Sequence, residues 1–314
     1  MTNFRNGITG VGTGSGLVHN GVTVDNGGSV ARPTKQFWVH GQLGNDGNVG
    51  TRPDAPLKTM AAAFTQIGSG DTIHLNGKVA EQLVTPAGVF DVTVVGEGNR
   101  PRHADAHTSN NGYSSAQWSA PASGGVAAQA TVRVIQQGWT FSNILFTAID
   151  ANAAMIELVR NSGSGDAERD ASHAAIIGCR FSGAGKGIRA GATSYVEVVN
   201  HVLVEGCRFD NCTYGIHTAI ISNYWTIRNN EFRVNTNHIV ADLGYSFISG
   251  NIMGSFTTDS IELPGGSAGL NVVTLNYLSG TYSSAGGYTV SDANDEWGGN
   301  FNSLTGGTTA ADPG

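Results

Sequence analysis

The densest set of reactive side chains in this sequence is Asp166, Glu168, Arg169 and Asp170, followed closely by His173, within the polar stretch 161–172. Two carboxylates held about 5–9.5 Å apart could cleave a glycosidic bond, and acidic ligands beside an arginine could drive a calcium-assisted elimination. A charged loop or a subunit contact is the plainer expectation for the same residues. His103, Asp105 and His107 are separated by single alanines, so a strand would set all three on one face, within reach of a divalent metal. Three such residues in a polar loop fit hydrogen bonding within that loop better, and neither a metal nor any other cofactor is expected. Trp118, Tyr224, Trp225 and Trp297 are the candidate binding residues, able either to stack on sugar rings or to anchor a subunit interface.

Side chains so scattered need a rigid frame to bring them together, and the composition narrows which frame. Of 314 residues 45 are Gly, about twice the usual share, while charged residues make up 13% against an ordinary ~25%. Long helices are disfavoured, because a mid-helix Gly costs about 0.5–1 kcal/mol and supporting i,i+4 ion pairs are scarce. The hydrophobic share of 39%, with 5 Trp, 8 Tyr and 12 Phe, is enough to bury a core. A net charge of −7 without any Lys/Arg run argues against a nucleic-acid partner. No apolar stretch approaches the ~18–20 residues of a membrane span, and the first residues lack the apolar centre of a signal peptide, so neither membrane insertion nor Sec-type export is expected. Cys179, Cys207 and Cys212 lack metal-ligand spacing and read as small buried hydrophobes.

A repeat organises the middle of the chain. Segments 139–146, 174–181, 201–209, 225–232, 246–253 and 271–278 align on Phe146, Phe181, Phe209, Phe232, Met253 and Leu278, at intervals of 35, 28, 23, 21 and 25 residues. Five residues earlier stand Phe141, Ile176, Val204, Ile227, Ile248 and Val273, all apolar. Between them lie Asn143, Gly178, Gly206, Asn229, Gly250 and Leu275, mostly residues that tolerate a left-handed corner. A further apolar column follows at Ile188, Ile216, Ile239 and Ile261. Each unit therefore reads as strand, corner, strand, turn and strand. The predicted fold is an all-β, single-stranded, right-handed parallel β-helix of eight or nine coils, a solenoid whose equivalent residues stack about 4.8 Å apart. Propeller and leucine-rich repeats fit neither the length nor the pattern.

Residues 71–77, 90–98 and 131–138 add less regular coils, with polar excursions at 99–125 and 161–172. The expected organisation is an anchoring arm over 1–35, the β-helix over 36–290 and an extended tail over 291–314. Within the repeat, Cys179 and Cys207 should begin a buried ladder continued by Asn230, Asn251 and Asn276. Arg180, Arg208 and Glu231 should form an outward, solvated charge column, worth about 0–1 kcal/mol per pair. His217 and His238 should occupy matching corners of adjacent coils, as ladder or interface residues.

Ahead of the coils stand Gly44, Asp46, Gly50, Thr51, Pro56, Leu57, Thr59, Ala61, Ala62, Ala63, Gly70, Asp71 and Ile73. This pattern resembles the opening of many parallel β-helix proteins of the pectate-lyase-like family, and implies a short capping helix over roughly 57–67. The Gly-rich beginning, with FRNGITGVG and NGVTVDNGGS, resembles the leaders of bacteriophage virion β-helix proteins. That resemblance implies a homotrimer on the virion surface, joined to other virion proteins through the arm, with loop 99–125 as contact region.

Three functions follow as expectations. The favoured one is a non-enzymatic virion structural protein, a head decoration protein or short spike. The alternative is a depolymerase, a lyase or hydrolase acting on host surface glycan through Asp166, Glu168, Arg169 or Asp170; a glycan-binding adhesin is a weaker third. No strand-borne Asp triplet recurs at coil spacing, as pectate lyase and polygalacturonase relatives would have it.

Overall fold

A computed structural model describes residues 17–19, 22–24, 34–98, 116–122, 124–148, 150–161, 169–191, 198–254, 256–264, 269–278, 294–302 and 307–309. The chain divides into two units, Met1–Lys35 and Gln36–Gly314. In the first, Leu17–His19 pairs antiparallel with Val22–Val24. The second is a right-handed parallel β-helix with three sheets of ten, ten and seven described strands.

The first sheet opens with Gln36–His40 and then gains one strand per coil, nine in all, beginning at Thr72, Thr93, Thr140, Ala175, Leu203, Thr226, Phe247, Val272 and Glu296. The predicted register holds position by position. Phe146, Phe181, Phe209, Phe232, Met253 and Leu278 are successive parallel partners in the second sheet. Ile188, Ile216, Ile239 and Ile261 are partners in the third. The rings of Phe146, Phe181, Phe209 and Phe232 stack at 5.5, 4.7 and 4.7 Å through the centre of the coils. The inward columns are fully buried, so each coil covers the apolar face that its neighbour cannot bury alone.

The corner between first and second sheets is left-handed in every repeat, with φ between 56° and 63° at Asn143, Gly178, Gly206, Asn229, Gly250 and Leu275. Beside it the buried ladder forms as expected. Asn230, Asn251 and Asn276 each donate to the side chain of the next asparagine, the last acceptor being Asn300, at 2.9–3.0 Å, and Cys207 N–H donates to Asn230 Oδ1 at the head of the ladder.

Several expectations are corrected. Of the helix expected over 57–67, only Met60–Phe64 is helical, because Thr65 closes it. Its N-terminus is held by Thr59 Oγ1 and by the Glu81 carboxylate, which accepts from Met60 and Ala61 N–H. Residues 296–302, assigned above to a tail, add another coil, pairing in parallel with 272–274 and 277–278. Arg180 and Arg208 are not solvated: both are buried and grip the single Asp210 carboxylate at 2.9 Å. His217 and His238 do not match: His217 pairs with Val240, whereas His238 is wholly buried, its ring 5.6 Å from that of Phe232. Burial holds His238 neutral down to about pH 4, with Nε2–H donated to Gly254 O.

Candidate functional site

The sequence-derived candidates that fall within the described residues do not assemble into one site. His103, Asp105, His107, Asp166 and Glu168 lie outside the described residues, as does all of 99–115. Arg169–Asp170 is one arm of a small antiparallel pair with Arg160–Asn161. The Asp170 carboxylate is a turn-former, accepting from Ser172 N–H and Gln137 Nε2 at 2.8 Å. Burial acts to raise its pKa, but these hydrogen bonds and the nearby Arg160 charge outweigh it and hold the group below its ordinary value. Trp118 and Trp225 have no exposed surface, and each spends its indole N–H on a backbone carbonyl, Glu81 O and Val199 O. Trp297 is 8% exposed and continues the inward column of the first sheet. These three are core residues, since the inward column demands large apolar groups. Tyr224 alone is exposed, within a ladder in which His173, His201, Tyr224 and Tyr245 stack at 4.8, 4.7 and 5.5 Å.

The reactive cluster that the coils do build lies on the third sheet. Its strands Ala154–Leu158, Lys186–Ala190 and Tyr214–Asn223 run in parallel, with Glu157, Arg189 and His217 as successive partners and Lys186 opposite Tyr214. Two glycines make this packing possible. A Cβ on Gly187 would stand 2.5 Å from Gly215 O and 2.7 Å from the Phe209 ring, and one on Gly215 would stand 2.6 Å from His238 O. The strands thus press onto the phenylalanine stack, which fixes Lys186 and Tyr214 on neighbouring rungs.

Glu157 is almost wholly buried and anchors the cluster. Arg133 Nε donates to its Oε2 at 2.6 Å, and Arg189 Nη1 lies 3.8 Å from its Oε1. Arg189 Nε donates to Gly191 O at 2.8 Å, so that guanidinium is held from two sides. Lys186 Nζ sits 5.6 Å above the Tyr214 ring, whose centroid is 4.7 Å from that of His217. Three cations against one carboxylate leave the face electropositive. Burial, then the charges of Lys186 and Arg189, lower the His217 pKa to about 4. Burial and Arg189 also lower that of Lys186, with Glu157 opposing. The His217 Nδ1 is buried and accepts no hydrogen bond. At neutral pH the site therefore presents an uncharged imidazole between fixed positive charges and a phenol, a set suited to proton transfer on an anionic substrate. Arg189 and His217 each follow an apolar column position, Ile188 and Ile216, a spacing that carries information only once the register across rungs is known.

A surface depression of about 490 Å³ lies on the first sheet over Ser142, Asn143, Ile177 and Glu205. Its one carboxylate is paired with Arg228 at 3.0 Å, leaving little chemistry there. Among the described residues no group of three or more His, Cys, Asp or Glu is placed to hold a metal. No described helix is long and apolar enough to cross a membrane.

No family model matches the chain, and no curated protein matches its sequence. Solved structures similar to it include an alginate lyase from Paenibacillus sp. str. FPU-7, at 15% identity and a TM-score of 0.42, covering 77% of this chain and 91% of that one. Pectin methylesterase from Aspergillus niger is also 15% identical, with 90% of each chain covered and a TM-score of 0.46. Pectin methylesterase from carrot is 14% identical over 89% of this chain and 88% of that one, at 0.47. The likeness is one of coiled architecture, not of activity, and none of it bears on a bacteriophage origin.

Proposed function

We propose that the protein acts on an acidic polysaccharide laid across the third sheet and cleaves it by β-elimination. The observation that carries this reading is the convergence of Lys186, Arg189, Tyr214 and His217 on two adjacent rungs. Lys186 and Arg189 neutralise the uronate carboxylate, which makes the neighbouring C–H more acidic. His217 takes that proton, the freed electron pair forms a carbon–carbon double bond, the glycosidic C–O bond breaks, and Tyr214 gives its hydroxyl proton to the leaving oxygen. Because two of the causes that depress the His217 pKa are the charges of Lys186 and Arg189, a bound carboxylate offsets them and strengthens the base when substrate arrives.

The test is a panel of acidic and neutral polysaccharides, read for unsaturated uronides by ultraviolet absorbance and for new reducing ends. Unsaturated product from an acidic polymer, lost in His217→Ala, is expected. Reducing ends without unsaturation would point to hydrolysis and overturn the elimination, and no product from any acidic polymer would overturn the enzyme reading altogether.

The virion structural reading rests on a different feature. Phe247, Ile252, Val272, Leu275, Tyr277 and Phe301 leave the outer surface of the last coils apolar, with exposures of 37–68%, as a face that meets another subunit would be. A homotrimer through that face, attached by residues 1–35, is the assembly this reading requires. Sedimentation as a monomer at micromolar concentration would argue against it.

A further inference from the structure

A second cluster, on the opening coils of the first sheet, takes no part in the chemistry above. Its outer surface carries three rungs of paired positions: Trp38 and His40, then His74 and Asn76, then Val95 and Glu97. The Trp38 and His74 rings stack at 4.9 Å and 9°, and His74 Nδ1 donates to Glu97 Oε1 at 2.6 Å. His40 is oriented by its own turn, its Nδ1 accepting from Leu43 N–H at 3.1 Å. Beside these side chains lies a cavity of about 230 Å³ walled by Trp38, His40, Pro53, Pro56, Asn76 and Glu97. Trp38 and two prolines give it apolar walls, while Asn76, Glu97 and His40 give it a polar edge.

Two buried polar atoms here have no partner, His74 Nε2 and Asn76 Oδ1. Both atoms lie beneath the surface and His74 does not wall the cavity, so the groups a ligand there meets are the half-exposed Glu97 carboxylate, an acceptor, and the Asn76 amide. A half-exposed carboxylate and an amide set beside an indole call for a ligand rich in O–H or N–H groups. The volume falls below the ~300–1,000 Å³ of pockets for drug-sized ligands and admits one six-membered ring, not a chain. A pyranose meets each requirement: hydroxyl donors for the acceptors, and a C–H face for the indole.

We infer that this cavity is a binding site for a single neutral monosaccharide unit, separate from the acidic-glycan site on the third sheet and independent of that reading. Glu97 disfavours an anionic sugar here, so the two sites differ in the charge of what they take.

The experiment is saturation-transfer NMR on the full chain with free glucose, galactose, mannose and N-acetylglucosamine, glycerol serving as the control polyol. The expected result is saturable transfer to at least one sugar and none to glycerol. Trp38→Ala and Asn76→Ala should each weaken that binding about tenfold, the scale of one lost stacking or hydrogen-bonding contact, whereas Trp38→Phe retains most of it. His217→Ala, which removes the proposed base, should leave the binding unchanged. No saturable sugar, equal binding of glycerol, or unaltered binding in folded Asn76→Ala would each overturn the inference. Asn76→Ser supplies the same comparison where a larger truncation prevents folding.

Discussion

Replacing Asn251 by alanine tests whether the interior amide ladder holds the coils together. Asn251 is fully buried, and its Oδ1 accepts from both Asn230 N–H and Asn230 Nδ2 at 3.0 Å. Its own Nδ2 donates to Ile227 O at 3.0 Å and to Asn276 Oδ1 at 2.9 Å. Alanine orphans two donors of Asn230, whereas Asn276 Oδ1 keeps the Asn251 backbone N–H as a partner. At about 1–3 kcal/mol for each buried group left unsatisfied, two orphaned donors cost roughly 2–6 kcal/mol. For a domain of this size that amounts to a fall in Tm of roughly 5–15 °C by circular dichroism. Arg228→Ala is the control, because it breaks an exposed pair to Glu205 worth at most about 1 kcal/mol. Asn251→Asp keeps the acceptor but loses the donors and buries a charge, so it should be no more stable than alanine. A melting point for Asn251→Ala within about 2 °C of the parent would show that the ladder does not hold the coils together.

Other outcomes follow from the same geometry. Leu275 is 68% exposed at φ 58°, where other coils carry Gly or Asn, so Leu275→Asn should raise Tm by a few degrees through about 1 kcal/mol of relieved strain. His217 and His238 both titrate near 4 in the folded chain against an ordinary 6.5, so the unfolded chain binds more protons between those values. Stability should fall as pH drops from 6.5 to 4 and level off below, and His238→Gln should flatten that profile in chemical denaturation. In the catalytic test, Arg189→Ala should raise KM for an acidic polymer more than His217→Ala does, while His217→Ala should act chiefly on kcat.

Much of the fold was legible because a solenoid writes its register into the sequence. A column such as Phe181, Phe209 and Phe232 repeats one environment, so the large apolar residue recurs wherever the coil returns. The corner was legible too, since Gly178, Gly206 and Asn229 mark a left-handed residue, and Leu275 takes the same left-handed φ of 58° at the equivalent position. The site was not. Lys186, Arg189, Tyr214 and His217 come from two coils, and single residues that meet laterally leave no motif along the chain. The dense run around Asp170 looked more reactive because charge was counted along the sequence rather than across rungs. Trp118 and Trp225 were misplaced for a related reason: an aromatic in a polar or irregular stretch reads as surface until its column is known to point inward.

The most direct measurement is an NMR titration of the His217 imidazole, first alone and then with saturating acidic oligosaccharide. The expected result is a free pKa near 4 that rises on binding, as the carboxylate offsets the charges of Lys186 and Arg189, with a smaller rise in Lys186→Ala. An imidazole whose titration is unchanged by an oligosaccharide that binds elsewhere on the chain would contradict it.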